Sequence, residues 1–292
     1  MHRIASIIAA ATVVTAAAVT GAGPALAAPR APAPAPAYYV SLGDSLAQGV
    51  QPNAKGQDVI TKQGYPDQLF TALHVGNPTL KLAKLGCPGE TTASMINGGI
   101  CTYTGAKSQL AAALAFLQAH QGHIQLVTID IGANDLNPCL AKTLLKNVIK
   151  CLETTIPKVV KNLGSILTAL RTAPGGAMLP VIGMTYYDPE LAGWLVPKLR
   201  TRAEASIALA SQFGLDLRQV YKAAGAPVAS AFGAFHTSDI KHLVTVPAFG
   251  KVPRDVAYLC SYTWQCTTAQ DEHANVLGYG VIANAFLKVI LG

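Results

Sequence analysis

Charged residues are scarce in this 292-residue sequence, where Asp, Glu, Lys and Arg make up 13% against a usual share of about 25%. Hydrophobic residues make up 51%, which excludes an intrinsically disordered chain, since such chains are poor in apolar residues. Neither a Gly-X-Y period nor a heptad pattern is present, so collagen and a long coiled coil are also excluded. The remaining classes are a globular protein and a membrane protein.

The N-terminus separates these two classes. A short basic start at Met1–Arg3 precedes the apolar run Ile4–Val19, and Ala25-Leu26-Ala27 matches a small-x-small cleavage site. This pattern predicts a secretory signal peptide over residues 1–28, with a retained membrane anchor as the alternative. No later segment offers about 18 uninterrupted apolar residues. We therefore expect a secreted, extracellular protein without a membrane span.

The rest of the chain is expected to hold a short tether and one domain. Residues 29–37 are rich in Ala and Pro, which favours an extended tether, and residues 38–292 suit a single domain. Loss of the signal peptide changes the formal net charge from +7 to +6, because Arg3 is the one charged residue removed. The Lys and Arg residues are scattered, which argues against nucleic acid as a partner. Peripheral contact with anionic surfaces is compatible with the remaining charge.

Cysteine is also sparse, with six residues in the chain, too few to replace a hydrophobic core. No C-x2-C pair is present, which disfavours a zinc site. An even number of cysteines in an exported protein favours disulfides. Of the many connectivities that six cysteines allow, we predict the sequence-adjacent pairs Cys87–Cys101, Cys139–Cys151 and Cys260–Cys266.

Apolar runs rich in β-formers alternate with segments of helical period after residue 37. The predicted strands are Tyr38–Leu42, Leu80–Leu85, Ile124–Ile131 and Met178–Met184, and the predicted helices are Gln109–His120, Leu140–Arg171, Glu190–Phe213 and Val276–Leu291. Pro157 is expected to break or kink the second helix. The predicted core face of the last helix consists of Leu277, Val281, Ile282, Ala285, Phe286 and Val289. This alternation favours an α/β fold with an open, mostly parallel sheet covered on both faces.

Short polar motifs follow three of the predicted strands. Gly43-Asp44-Ser45-Leu46 follows the first, Gly86–Thr92 the second and Gly132-Ala133-Asn134-Asp135 the third, and Asp271-Glu272-His273 precedes the last helix. Function in such sheets lies at the carboxyl ends of the strands. We therefore expect these motifs to converge on one edge of the sheet.

The residue types in these motifs are those that acyl transfer requires. A serine hydroxyl is a weak nucleophile until a histidine accepts its proton, and an acid beside the histidine orients the ring. The tetrahedral intermediate needs hydrogen-bond donors aimed at its oxyanion, and a glycine amide and an asparagine carboxamide are suitable donors. Such chemistry requires no cofactor and no metal.

In this order and at these places in the chain, the motifs resemble the blocks of the SGNH (GDSL) hydrolase family. The resemblance covers the chain from Tyr38 to the last helix, and it implies a flavodoxin-like three-layer α/β/α sandwich that hydrolyses esters. It also implies that Ser45 is the nucleophile and first oxyanion donor, Gly89 the second donor, Asn134 the third and His273 the general base. With its signal peptide and paired cysteines, the chain further resembles the secreted actinobacterial esterases and lipases of this family.

The acid that orients His273 is less well defined by the sequence. The family's last block is most often Asp-x-x-His followed by Pro, whereas Gln270 stands three residues before His273 and Ala274 follows it. Asp271, two residues before, is the nearest aspartate. Either Asp271 orients His273, or a backbone carbonyl does so and Asp271 caps the following helix.

Several other residues have more ordinary interpretations. His236, Asp239 and His242 are spaced as metal ligands are, but we interpret them as solvated loop residues. A capping role is favoured for His120 and His123 at the end of a predicted helix. For Tyr186, Tyr187 and Trp264, packing is weighed against a place in the pocket lining. The absence of Gly-x-Ser-x-Gly and of Gly-x-Gly-x-x-Gly disfavours an α/β-hydrolase elbow and a dinucleotide site.

The sequence therefore predicts a secreted serine hydrolase of carboxylic esters, an esterase or lipase that forms an acyl-enzyme on Ser45. We expect a monomer that acts on a small-molecule or lipid ester. Two alternatives are an acyltransferase that uses the same site and a catalytically silent secreted binding protein. Acyl chain length and the alcohol portion of the substrate are left open.

Overall fold

The structure is a computed structural model that describes residues 35–292. The expected signal peptide, and all of the expected tether except its last residues, lie outside this part of the chain. Ala37 is already the first residue of a strand. No helix in residues 35–292 has the length and apolar character needed to cross a membrane.

Strands and helices alternate along residues 35–292. The strands are β1 (Ala37–Gly43), β2 (Val50–Pro52), β3 (Asp58–Ile60), β4 (Leu80–Lys84), β5 (Ile124–Asp130), β6 (Val181–Thr185), β7 (Val228–Ser230), β8 (Leu243–Val246), β9 (Gly250–Pro253), β10 (Thr263–Trp264) and β11 (Asp271–Ala274). The helices are α1 (Ser45–Gln48), α2 (Tyr65–Gly76), α3 (Thr92–Asn97), α4 (Gln109–Ala119), α5 (Asn137–Leu140), α6 (Leu145–Thr172), α7 (Arg200–Ala223), α8 (Ala231–Ala234), α9 (Arg254–Tyr262) and α10 (Val276–Leu291). Short 3₁₀ segments cover Gly176–Met178, Pro189–Leu195 and Pro197–Leu199.

A five-stranded parallel sheet lies at the centre of the fold, in the order β4-β1-β5-β6-β7. This is the flavodoxin-like order, in which the first strand lies between the second and third strands of the sheet. Tyr39 of β1 pairs with Leu82 on one side and Leu126 on the other. The shorter strands form three separate antiparallel pairs, β2-β3, β8-β9 and β10-β11.

Helices cover both faces of this sheet. Successive strand residues point to opposite faces, so Tyr39 packs into one core with α2, α9 and α10, while Val40 packs into a second core with α4, α6 and α7. In the first core, Tyr65 of α2 stacks on Phe286 of α10 with ring centroids 4.9 Å apart. The predicted α/β/α sandwich is confirmed.

Several predicted boundaries were wrong. The segment predicted as one helix at Leu140–Arg171 contains the end of α5 and, separately, α6. Pro157 does not end α6: it is exposed, and so the carbonyl that loses its donor can bond to water. Strand β6 begins at Val181 rather than at Met178, and the helix predicted from Glu190 begins at Arg200, because prolines start 3₁₀ turns at residues 189 and 197.

The buried face of α10 agrees with the predicted one except at its start, since Ile282, Ala285 and Phe286 are buried and Val281 and Val289 pack against the same core. Leu277 is 60% exposed, whereas Gly278 and Tyr279 are buried. A Cβ on Gly278 would lie 1.9 Å from the carbonyl oxygen of Tyr262. This close approach of α9 and α10 requires a residue without a side chain, and it places Gly278 and Tyr279, rather than Leu277, on the buried side.

The three predicted cysteine pairs are bonded in the structure. The Sγ–Sγ distances are 2.04 Å for Cys87–Cys101, 2.01 Å for Cys139–Cys151 and 1.93 Å for Cys260–Cys266. The first bridge lies in the segment after β4, the second links α5 to α6, and the third links α9 to the segment after β10. Each bridge therefore holds a loop or short element outside the central sheet.

Candidate active site

The predicted motifs lie at the carboxyl edge of the sheet, as expected from the topology. Ser45 follows β1, Gly89 follows β4, and Asn134 follows β5, while His273 lies on β11. Ser45, Asn134 and His273 all line one cavity of about 130 Å³. Gly89 is not part of the cavity lining, but its neighbour Glu90 accepts a hydrogen bond from Asn134 Nδ2 through its backbone oxygen at 3.1 Å.

The turn that carries Ser45 depends on a glycine. Gly43 has φ +136°, and a Cβ at this position would lie 2.1 Å from the carbonyl oxygen of Asp130. The Gly43 backbone is also bonded at both ends by one side chain, because its N–H donates to Gln109 Oε1 at 2.7 Å and its oxygen accepts from Gln109 Nε2 at 2.8 Å. Asp44 then caps α1 by accepting from the amide of Leu46 at 2.9 Å. Ser45 is thus held at the first residue of a helix.

Two buried carboxyl groups lie beneath this turn, those of Asp44 and Asp130. Tyr186 donates its hydroxyl to Asp44 Oδ2 at 2.9 Å, and Tyr65 donates to Asp130 Oδ1. Burial raises the pKa of Asp44, and burial together with the neighbouring Asp44 charge raises the pKa of Asp130 well above its usual value. Both carboxyl groups therefore favour the protonated form more than an exposed aspartate does.

The histidine is bound by an aspartate of its own strand. His273 Nδ1 lies 2.9 Å from Asp271 Oδ1, and the same oxygen accepts the backbone N–H of His273 at 2.8 Å. The cap of α10 is Asn275, which accepts from the amide of Gly278 at 3.0 Å, so Asp271 does not cap the helix. Because Nδ1 contacts the carboxylate, Nε2 is the ring nitrogen that is left for another partner.

The carboxylates around His273 determine its pKa. Burial lowers the pKa of His273, but the hydrogen bond and charge of Asp271, supported by the charges of Asp58 and Glu272, outweigh burial and raise it above the ordinary histidine value. Partial burial raises the pKa of Asp271, yet its contacts with His273 outweigh that effect and lower it. The pair therefore favours a charged imidazolium beside a carboxylate.

Asn134 and Asp135 both anchor the loops at the sheet edge. Asn134 donates one Nδ2 hydrogen to the backbone oxygen of Glu90, in the loop after β4. The second Nδ2 hydrogen is left for a ligand. Asp135 accepts from the amide of Thr92 at 2.8 Å and from its hydroxyl at 2.7 Å. Gly89 has φ +78° and no atom within 4 Å of the place where a Cβ would stand. The Gly89 backbone is therefore open on that side.

Most of the cavity surface is apolar. The larger apolar side chains of the lining include Leu136, Leu140, Leu152, Ile156, Leu209 and Phe213. The Cys139–Cys151 bridge joins α5 and α6, which carry Leu140, Leu152 and Ile156, and Leu136 directly precedes α5. The lining also contains Asp188, Glu190 and Ser206, so polar groups other than Ser45 and His273 face the same largely apolar cavity.

The aromatic candidates divide between the cavity and the surrounding packing. Tyr186 and Tyr187 line the cavity, and Tyr187 also donates to the backbone oxygen of Glu272 at 2.7 Å and stacks on Phe235 with ring centroids 4.3 Å apart. Trp264 lies outside the cavity lining and donates to Gln51 Oε1 at 3.3 Å.

The histidines considered as metal ligands have other partners, and the one at the end of α4 caps that helix as predicted. His242 Nδ1 contacts Asp239 Oδ1, and Arg254 donates to the other carboxylate oxygen of Asp239 at 2.9 Å. His236 stacks on Tyr258. His120 ends α4 and contacts the Phe116 oxygen at 2.9 Å.

Within residues 35–292, one group has ligand atoms close enough for a metal ion, within 4.8 Å of one another: Asp58, Asp271 and His273. Two of its members, Asp271 and His273, already contact each other through Asp271 Oδ1 and His273 Nδ1.

Some residues of the site were missed by the sequence interpretation. A charged residue inside the apolar run of β5 was a usable signal for Asp130. Gln109, Tyr65 and Asp58 carry no comparable signal, because their partners are distant in the sequence.

Comparison with known proteins identifies the family. The model of the GDSL-like lipase/acylhydrolase family matches residues 41–242. The chain belongs to this family. The predicted family and the predicted class of carboxylic ester hydrolase are thereby confirmed. The matched segment includes Ser45, Gly89 and Asn134 and ends before Asp271 and His273. No curated protein matches the chain.

Solved structures show a related fold. The acetylxylan esterase Axe2 from Geobacillus stearothermophilus is 15% identical, with a TM-score of 0.51 over 88% of this chain and 94% of that one. The acetyl xylan esterase AlAXEase is 14% identical, with a TM-score of 0.53 over 87% of this chain and 99% of that one. At these identities the similarity is one of fold.

Proposed function

We propose that this chain is a secreted serine esterase that is transiently acylated on Ser45. The observation that carries the proposal is that Ser45, Asn134 and His273 line one largely apolar cavity, while Asp271 binds Nδ1 of His273 and leaves Nε2 free to accept a proton. A serine, a histidine oriented by an acid and a set of donors are the parts that acyl transfer needs.

The reaction follows from this arrangement. Ser45 Oγ attacks the ester carbonyl carbon and gives its proton to His273 Nε2, while the backbone amides of Ser45 and Gly89 and the free amide hydrogen of Asn134 stabilise the oxyanion. The C–O bond to the alcohol breaks, and the imidazolium protonates the departing oxygen. Water, deprotonated by His273, then attacks the acyl carbon and releases the acid and free Ser45. Asp271 stabilises the imidazolium in both steps.

The size of the cavity favours short acyl groups. An apolar cavity of roughly 150 Å³ holds a benzene molecule, and the cavity here measures about 130 Å³. We propose that the acyl group lies against the apolar side chains of the cavity lining and contains up to about six carbons. This favours an esterase over a lipase of long-chain fats.

The site assignment is tested by covalent labelling. A fluorophosphonate probe should modify Ser45, and Ser45→Ala should lose at least about 10⁴-fold in kcat/KM for p-nitrophenyl butyrate. Ser165→Ala changes an exposed serine of α6 and serves as the matched control. Labelling elsewhere, or an active Ser45→Ala enzyme, would reject the site. A folded, oxidised protein that takes no label would support the silent binding protein.

The acyl-group assignment is tested with a chain-length series. Acetate, butyrate and hexanoate esters should be hydrolysed and palmitate should not. Ala210 lines the cavity, so Ala210→Leu should reduce kcat/KM for hexanoate relative to acetate by at least about fivefold, whereas Ala208→Leu on the exposed side of α7 should not. Equal rates on palmitate would contradict the short-chain assignment. An acceptor alcohol that captures most of the acyl group would support the transferase alternative.

Export is proposed from the N-terminal pattern and from the three disulfides, which are typical of oxidising compartments. The mature protein isolated from culture medium should begin directly after Ala27 or Ala28. An uncleaved, membrane-bound chain would support the anchor alternative. The domain would then be residues 38–292, or one residue longer to include Ala37 of β1.

A further inference from the structure

A second carboxylate approaches the histidine from another part of the chain. Asp58 Oδ1 lies 3.9 Å from His273 Nδ1, on the same ring nitrogen that contacts Asp271 at 2.9 Å. Asp58 is the first residue of β3, where it pairs with Pro52 of β2. The imidazole therefore faces one carboxylate from its own strand and another from a hairpin that follows the nucleophile helix.

The β2-β3 hairpin is fixed at its base. Thr61, just after β3, donates its hydroxyl to the backbone oxygen of Gly49 at 2.6 Å and accepts from Gln51 Nε2 at 3.2 Å. Gln51 is buried and also accepts from Trp264 Nε1 of β10 at 3.3 Å. These bonds join the hairpin both to the end of α1 and to the two-stranded sheet that carries His273. Asp58 is thus held beside the ring by the backbone of its hairpin.

We propose that Asp58 is a positioning residue for His273, acting together with Asp271 to orient the imidazole and to stabilise its charged form. This proposal rests on the proposed catalytic roles of Ser45 and His273. Asp271 makes the direct contact, and Asp58 supplies a second negative charge on the same side. When His273 takes the proton of Ser45, both carboxylates stabilise the positive charge of the imidazolium.

The charges around the ring agree with this role. The acidic groups that act on His273 are Asp271 and Glu272 of β11, Asp58 of β3 and Asp44 at the start of α1. Partial burial and the neighbouring Asp271 raise the pKa of Asp58, and His273 lowers it. Asp58 is 52% exposed whereas Asp271 is 15% exposed, so salt should screen the Asp58 charge far more strongly.

The experiment compares four enzymes: wild type, Asp58→Asn, Asp271→Asn and the double variant. In Asp58→Asn, the acid limb of the kcat/KM profile should move to lower pH, and the plateau should fall by up to about fivefold, the range of an exposed ion pair. In the Asp271→Asn background, Asp58 is the remaining partner of the ring, so its loss there should cost at least about tenfold.

Conservative and matched controls separate charge from structure. Asp58→Glu should return the acid limb towards its wild-type position, and Glu204→Gln, which removes an exposed charge from α7, should leave it unchanged. Molar salt should move the wild-type limb towards that of Asp58→Asn and leave the limb of Asp58→Asn in place. An acid limb in Asp58→Asn that coincides with wild type, or an equal loss in both backgrounds, overturns the proposal.

The role of Asp58 and the proposed function are tested by different variants. If Ser45→Ala removes activity and Asp58→Asn changes nothing, only the role of Asp58 fails. If Ser45→Ala stays active, the proposed site fails and the role of Asp58 fails with it. Thermal unfolding of each variant shows that the rates are compared between folded enzymes.

Discussion

Ser45 follows a strand of the central sheet, whereas His273 lies on a separate two-stranded sheet. The serine turn is held by buried groups, with Gln109 on both sides of Gly43 and Tyr186 on Asp44. The histidine is held by partly exposed carboxylates and by hydrogen bonds between hairpins. The position of Ser45 is therefore fixed by buried contacts, whereas the orientation of His273 depends on charges that solvent and salt reach.

The largest effect is expected from the glycine of the serine turn. Gly43→Ala would place a Cβ 2.1 Å from a backbone oxygen at φ +136°, and we expect either no folding or a loss of more than about 4 kcal/mol in the free energy of unfolding. Gly56 also has a positive φ, but a Cβ there meets no atom within 4 Å. Gly56→Ala should therefore cost only about 1 kcal/mol. Urea denaturation measures both, and equal losses would contradict the steric explanation.

An intermediate effect is expected from the buried carboxyl pair. The folded-state pKa of Asp130 is raised, so the folded chain keeps a proton that the unfolded chain has lost. Stability should therefore fall as pH rises above the unfolded pKa of about 4, by up to about 1.4 kcal/mol per pH unit, until the folded pKa is reached. Asp130→Asn resembles the protonated acid and should remove this part of the slope.

The measurement is the difference between wild type and Asp130→Asn in the pH dependence of unfolding. A difference is needed because burial also raises the pKa of Asp188 to about 7 and that of Asp255 to about 6. These two groups contribute equally to both proteins. Parallel pH profiles for the two proteins would show that Asp130 is ionised in the fold.

The smallest effect on global stability is expected on the histidine side. Replacing Cys260 and Cys266 by alanine opens a loop with a sequence separation of 6, which should cost about 2 kcal/mol. Because the bridge lies next to the β10-β11 pair, kcat/KM should fall severalfold at temperatures where the protein is still folded. The same change at Cys87 and Cys101 should affect stability more than activity. A loss of activity that only follows unfolding would contradict this distinction.

The two sides of the site were not equally predictable from the sequence. Gly43, Asp44 and Ser45 form a local turn whose requirements are contained in adjacent residues, and a charged residue in the apolar run of β5 was visible too. Gln109 lies 66 residues from Gly43, and Tyr186 lies 142 residues from Asp44. Contacts at such separations depend on strand order and helix packing, which short motifs do not encode.

The same limit applies to the elements of the fold. Strand β5 was predicted nearly to its ends because a run of apolar β-formers specifies a buried strand. At the start of α10, Leu277 was wrongly predicted to be buried, because the period of apolar residues does not reveal that Gly278 must approach the backbone of Tyr262. Similarly, the role of Asp58 depends on a hairpin that packs beside β11, and the hairpin sequence itself is unremarkable.

The last helix has a consequence for the order in which the site forms during synthesis. Helix α10 follows His273 after two residues and packs against α2 and β7. The serine turn is synthesised early, but the strand that carries the histidine cannot pack against α10 until that helix has been synthesised. On the proposed roles, an unfinished chain carries a nucleophile without its base. On these roles, hydrolysis would begin only after α10 has been synthesised and packed.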